Sequence, residues 1–235
     1  MPKFPYPEEK GMKKRIFPVV FAVLFLFECS GPAHKLMPEY KKADYKTSML
    51  GVILVKRNLE VGSEDAPGDL MGARDQRQLF YSQFGSEFPA AMKDCAKFAG
   101  IEFANGGEEG LVNKDDNADP TIQGAASVSL PPGKAHFKAE YGFLLIIDYM
   151  NVRRIQNTGN PMLGSEGTFS GLTTGSDQIV ALANFVLWDN KKGTIAAYGY
   201  IDEKMPVVNN ATGESVKELI KNMACSVTRG LPFGK

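Results

Sequence analysis

The sequence has no surplus of either charge: 27 lysines and arginines face 27 aspartates and glutamates in 235 residues. Nucleic-acid binders normally carry a basic excess, so the balance argues against that class. No block of like charges reads as an interaction tail, and no internal repeat stands out. Histidine is scarce. His34 and His136 are the only two, and neither neighbours a Cys, Asp or Glu at zinc-ligand spacing. A His-dependent triad would have to use His136, and no partner recommends itself. GxSxG is missing, and no Gly-Lys-Ser/Thr ends a phosphate loop. Asp115, Asn117 and Asp119 alternate as the first ligands of a calcium loop do. Pro120 then replaces the turn glycine and Ala126 the bidentate glutamate, so a solvated acidic loop is expected. The expectation is a protein that is not an enzyme, with no cofactor and no metal; Asp148 and Glu166 are the carboxylates an enzyme reading would have to use.

What is present begins with a leader. Met12-Lys13-Lys14-Arg15 is basic, and Ile16 to Phe27 is almost unbroken apolar sequence. That pairing is the secretory-signal pattern. The apolar run covers about 18 Å as a helix, short of the ~30 Å hydrocarbon thickness. It has no polar face, as a helix packed in a core would need. Residues 1–11 have no place in such a leader, which points to Met12 as the start. Leu26, three positions before Cys29, makes this stretch resemble the lipobox of bacterial lipoproteins. The resemblance implies a diacylglycerol on the Cys29 thiol and cleavage before it, with several acyl chains giving a stable anchor. Phe27 and Glu28 stand where that family favours small residues, which leaves cleavage open. Ser30 resembles the residue of lipoproteins sent to the outer membrane, facing the periplasm or the cell surface. A periplasmic or secreted form is the alternative.

The rest divides into a tether over 30–46 and one α+β domain over 47–235. Met49 to Val55 and Ile101 to Phe103 are short strands. Ser86 caps a helix with Pro89 in its first turn; Phe88, Ala91, Met92, Cys95, Phe98 and Ala99 share a face, and Gly100 ends it. Gly142 to Ile155 is the longest β-type run, with Phe143, Leu145, Ile147 and Tyr149 on one face. Leu144, Ile146, Met150 and Val152 fall on the other, so an interior strand covered on both sides is expected. Asp148 interrupts that second face; pairing with Arg153 or Arg154, or an edge open to water, is the favoured account. Asn157 to Gln178 is a long Gly, Ser and Thr loop. Ile179 to Trp188 and Thr194 to Ile201 form a hairpin around Asp189-Asn190-Lys191-Lys192-Gly193. Ser215 and Glu218 form a capping box for a last helix whose stripe is Val216, Leu219, Ile220, Met223 and Val227.

These elements predict a mixed, largely antiparallel sheet with two main helices on one face. The stretches LLIIDYMNVRR, LWDNKKGTIAAYGYID and ESVKELIKNMACSV resemble the α/β domain of bacterial envelope lipoproteins. Those are of the curli-secretion, penicillin-binding-protein-activator and TolB amino-terminal type. The resemblance implies a non-catalytic accessory or assembly component, held to the membrane through Cys29 and acting on an envelope protein partner. A secreted or surface module for a glycan or small ligand is the alternative. Trp188, Tyr198, Tyr200 and Asp148 are the residues expected at a partner or ligand surface, although cross-strand packing is the commoner use of such aromatics. An oxidising envelope permits a Cys95–Cys225 bridge. Cys225 lies about 180° from the stripe of its own helix, which favours two separate thiols.

Overall fold

The computed structural model of the protein describes residues 34–63, 75–113, 128–132, 139–155, 178–207 and 212–235. In chain order the elements are β1 (His34–Leu36), β2 (Met49–Leu54), β3 (Glu60–Ser63), α1 (Gln76–Cys95) and β4 (Gly100–Phe103). There follow β5 (Val112–Asn113), β6 (Ser129–Leu130), β7 (Phe143–Ile155), β8 (Gln178–Asp189), β9 (Thr194–Pro206) and α2 (Thr212–Thr228). The main sheet runs β1-β9-β8-β7-β2-β4, with β3 beside the far end of β7. Pairing is antiparallel from β1 through β7 and parallel where β2 meets β7 and β4. The result is the expected α+β fold with a mixed sheet.

Both helices lie on one face. Phe80, Phe84, Phe88 and Met92 of α1 and Val216, Leu219, Ile220, Met223 and Val227 of α2 are fully buried there. They pack on Leu50, Val52, Leu145, Ile147 and Phe185 of the central strands. The opposite face of the sheet carries Ile53, Leu144, Ile146, Val186 and Trp188, covered by Leu111, Val128, Leu130 and Tyr141. That double cover is why β7 reads as apolar on both sides.

Three boundaries differ from expectation. α1 starts ten residues before Ser86, at Gln76, where the Asp75 carboxylate accepts from the Gln78 amide at 2.9 Å. Phe80 and Phe84 extend the apolar stripe upstream, so Pro89 sits in the helix interior. Four residues before it comes Gly85, at the carbonyl a proline ring crowds. α1 also stops at Cys95, which leaves Phe98 off the helix and among the rings of Tyr45, Phe143 and Phe233. α2 begins at Thr212, so Ser215 lies inside its first turn rather than at its cap.

The tether reading of 30–46 is corrected from His34 onward. His34–Leu36 pairs with β9 as an edge strand, and Tyr40 and Tyr45 are buried. The Tyr40 hydroxyl donates to Asp189 Oδ2 at 3.0 Å, which ties this segment to the β8–β9 hairpin. In that hairpin Gly193 takes φ +66°, the conformation expected of its glycine.

The alternation along β7 also breaks. Asp148 pairs with Asn184 but Asn151 pairs with Leu182, so Tyr149 and Met150 together oppose one residue. This β-bulge shifts the faces by one place. Met150 and Val152 therefore join Phe143, Leu145 and Ile147 under the helices, and Tyr149 points outward. Tyr149 has φ +48°, the one positive φ outside glycine among the described residues.

Candidate functional site

Asp148 is completely buried on the face away from the helices. Its Oδ1 accepts from Asn58 Nδ2 at 2.8 Å and from the Tyr149 amide at 2.8 Å; its Oδ2 accepts from the Ser129 amide at 2.7 Å. Neither expected arrangement holds, since the donors are not Arg153 or Arg154 and the site is shut to water. A carboxylate taking three N–H bonds is a structural acceptor. It joins β7 to the β2–β3 connection and to β6. Arg57 extends the network, donating to Ser129 Oγ at 2.9 Å and to the Leu111 carbonyl at 3.1 Å.

The aromatic residues expected at a surface separate. Trp188 is only 4% exposed and packs in the core with Leu144, so it offers no ring for stacking. Its Nε1, like Asn184 Oδ1, is buried without a hydrogen-bond partner among the described residues. Tyr198 and Tyr200 remain half-exposed on β9, opposite Val186 and Asn184. Lys35 Nζ lies 5.7 Å from the Tyr198 ring centre. Burial raises the Tyr200 hydroxyl above its usual value, Asp202 adds to this, and Arg153 opposes it. Cys29, Asp115, Asn117, Asp119, His136, Glu166 and loop residues 157–177 lie outside the described residues. His34 belongs to β1, its Nδ1 3.2 Å from the Arg229 carbonyl. Among the described residues no group of three or more His, Cys, Asp and Glu could hold a metal.

Two concave surfaces flank α1. The first, of about 540 Å³, lies between α1 and the chain after β4. Its floor is the Tyr81–Phe103 pair, edge to face with centroids 5.4 Å apart. Lys56 Nζ sits 5.4 Å from the Tyr81 ring centre and donates to Gln78 Oε1 at 2.6 Å. Burial, with Glu108 nearby, pushes the Tyr81 hydroxyl above its ordinary value. Gly85 keeps the floor open, because a Cβ there would meet the Phe103 ring at 3.0 Å. Rings beside amide, ammonium and carboxylate groups suit a small polar ligand. Only the fold brings Tyr81 and Phe103 together; the one sequence signal is a glycine inside a helix.

The second surface, of about 590 Å³, lies where α1 ends against β4 and the last residues of the chain. Next to it, Cys95 and Cys225 form a disulfide with Cα atoms 5.3 Å apart. The expectation of separate thiols is thus overturned. Cys225 does lie off the stripe that faces the sheet, but it occupies the flank of α2 that meets α1.

Neither a family model nor a curated protein matches the sequence. Among solved structures the chain is similar to the PelC dodecamer from Paraburkholderia phytofirmans, at 8% identity and TM-score 0.36 over 86% of this chain and 98% of that one. It is also similar to a neuraminyllactose-binding hemagglutinin homologue from Helicobacter pylori, at 11% identity and TM-score 0.37 over 79% and 81%. A Xanthomonas campestris protein of family DUF330 matches at 9% identity and TM-score 0.36 over 82% and 86%. These likenesses are loose, and no function follows from them.

Proposed function

We propose that the protein is a non-catalytic component of the bacterial cell envelope, exported by its leader and fastened by lipid at Cys29, which acts through contacts with another envelope protein. The observation that carries this reading is the Cys95–Cys225 disulfide. Such bridges persist in oxidising compartments and are rare in the cytosol, where thiols stay reduced. The basic and apolar segments from Met12 to Phe27 supply the route out, and Cys29 supplies the attachment point. No helix among the described residues is long and apolar enough to cross a membrane.

The test is metabolic labelling with a palmitate analogue, combined with crosslinking mass spectrometry on intact cells. Wild-type protein takes up label, Cys29→Ala does not, and crosslinks join the domain to a second envelope protein. Recovery of unlabelled protein in the cytosolic fraction, with Cys95 and Cys225 reduced, overturns the reading.

The cleft over Tyr81 and Phe103 favours a second reading, a module for a glycan or small polar ligand. A thermal-shift panel of glycans and metabolites decides it. A hit that Tyr81→Ala abolishes supports this reading, and a silent panel removes it.

A further inference from the structure

Four lysine side chains, Lys46, Lys93, Lys97 and Lys235, line the 590 Å³ cleft at the end of α1, against one carboxylate, Glu102. The side chains of the chain as a whole balance, so among side chains this is a local excess of three positive charges. Cations at a helix C-terminus gain from the macrodipole, and Lys235 is explained in that way: its Nζ donates to the Lys93 carbonyl at 2.6 Å. Lys46, Lys93 and Lys97 are exposed and have no acidic partner among the described residues. Holding such charges together is unfavourable unless an anion sits between them.

Their backbone carriers are fixed. The Lys97 amide donates to the Phe233 carbonyl at 2.8 Å, and the Lys235 amide to the Cys95 carbonyl at 2.8 Å. The disulfide ties Cys95, two residues from both Lys93 and Lys97, to α2. Lys46 follows Tyr45, which is buried, and its amide donates to Asp44 Oδ1 at 3.1 Å. Rigid backbone leaves only side-chain freedom to be lost on binding. Ammonium groups act as point charges for phosphate oxygens, and the volume admits more than a single phosphate.

We propose that the cleft rimmed by Lys46, Lys93, Lys97 and Lys235 binds a ligand carrying two or more phosphate groups, free in solution or on a lipid headgroup. This site is separate from the Tyr81 cleft and does not depend on a protein partner.

The experiment uses the full chain, in detergent for calorimetric titration with inorganic pyrophosphate, and after detergent removal for co-sedimentation with cardiolipin or phosphatidylcholine vesicles. Pyrophosphate is expected to bind at millimolar strength or tighter in about 0.1 M salt, and more weakly as salt rises. The double variant Lys93→Gln/Lys97→Gln loses tenfold or more, and Glu102→Gln gains severalfold. Lys204→Gln, on β9, leaves binding unchanged. Sedimentation with cardiolipin in excess of that with phosphatidylcholine, the excess being competed by pyrophosphate, assigns the lipid source; pyrophosphate binding without such an excess assigns the soluble one. The proposal is overturned if neither probe binds, or if the Lys93/Lys97 double variant binds as tightly as wild type.

Discussion

The carboxylate of Asp148 accepts the amide proton of Tyr149, its neighbour in the chain, at 2.8 Å, and Tyr149 stands at φ +48°. A bulge residue of this conformation is normally glycine. The side chain before it therefore holds a backbone shape that Tyr149 alone disfavours by about 1–2 kcal/mol.

Replacing that acceptor removes the reason for the shape. Asp148→Ala strands the Asn58 and Ser129 donors in the interior along with the Tyr149 amide. Loss of charge-assisted bonds and buried unmet donors predicts about 2–4 kcal/mol of destabilisation. Urea unfolding checks it, and a change below about 1 kcal/mol would show that the network is dispensable.

Relief of the bulge residue acts in the opposite direction. Tyr149→Gly is expected to raise stability by roughly 0.5–1 kcal/mol, part of the strain relief being returned as chain entropy. Tyr149→Val is expected to lower it, since a β-branched side chain suits positive φ least. Denaturant midpoints for the pair should bracket that of wild type.

Opening the disulfide frees a loop of sequence separation 130 in the unfolded chain. Cys225→Ser is expected to lose about 3–5 kcal/mol. Unfolding curves with and without reductant should differ for wild type and coincide for the variant.

Acid should loosen the β1 edge. Burial lowers the His34 imidazole below its ordinary 6.5, the Arg229 charge adds to this, and backbone bonds at Arg229 and Tyr200 oppose it. Between the lowered folded value and 6.5 the unfolded chain holds more protons. Stability therefore climbs with pH across that window and is fully present above it. Midpoints at roughly pH 5.5 and 7.5 should differ more for wild type than for His34→Gln, and equal differences would exclude His34 as the cause.

Gly51 lies against the Tyr141 ring, where an added Cβ would sit 2.8 Å from a ring carbon. Overpacking there by Gly51→Ala is expected to destabilise by about 1–3 kcal/mol, readable as a lowered Tm.

The main strands are legible because each states its own burial: β7 is apolar on both sides, and the Asp189–Gly193 turn marks the β8–β9 hairpin. The stripe on α2 was equally plain. Other features depend on neighbours that no local window contains. Pro89 imitates a first-turn proline, so the start of α1 was hidden. The bulge carries no glycine to announce it. Cys225 points away from the apolar stripe of its own helix, whereas its partner stands beside it on α1. The basic rim gathers lysines from three distant segments, so no charge run in the sequence pointed to it.

An exposed side chain usually marks a place where a residue can be dropped without harm, and Tyr149 is 38% exposed. Its backbone conformation is another matter. Were Tyr149 to take an ordinary extended place opposite Ala183, plain alternation would run through β7 and everything beyond would turn over, driving Asn151 and Arg153 toward the helices and lifting Met150 and Val152 away from them. The outward ring is replaceable, but the peptide unit beneath it keeps the distal third of the strand facing the right way.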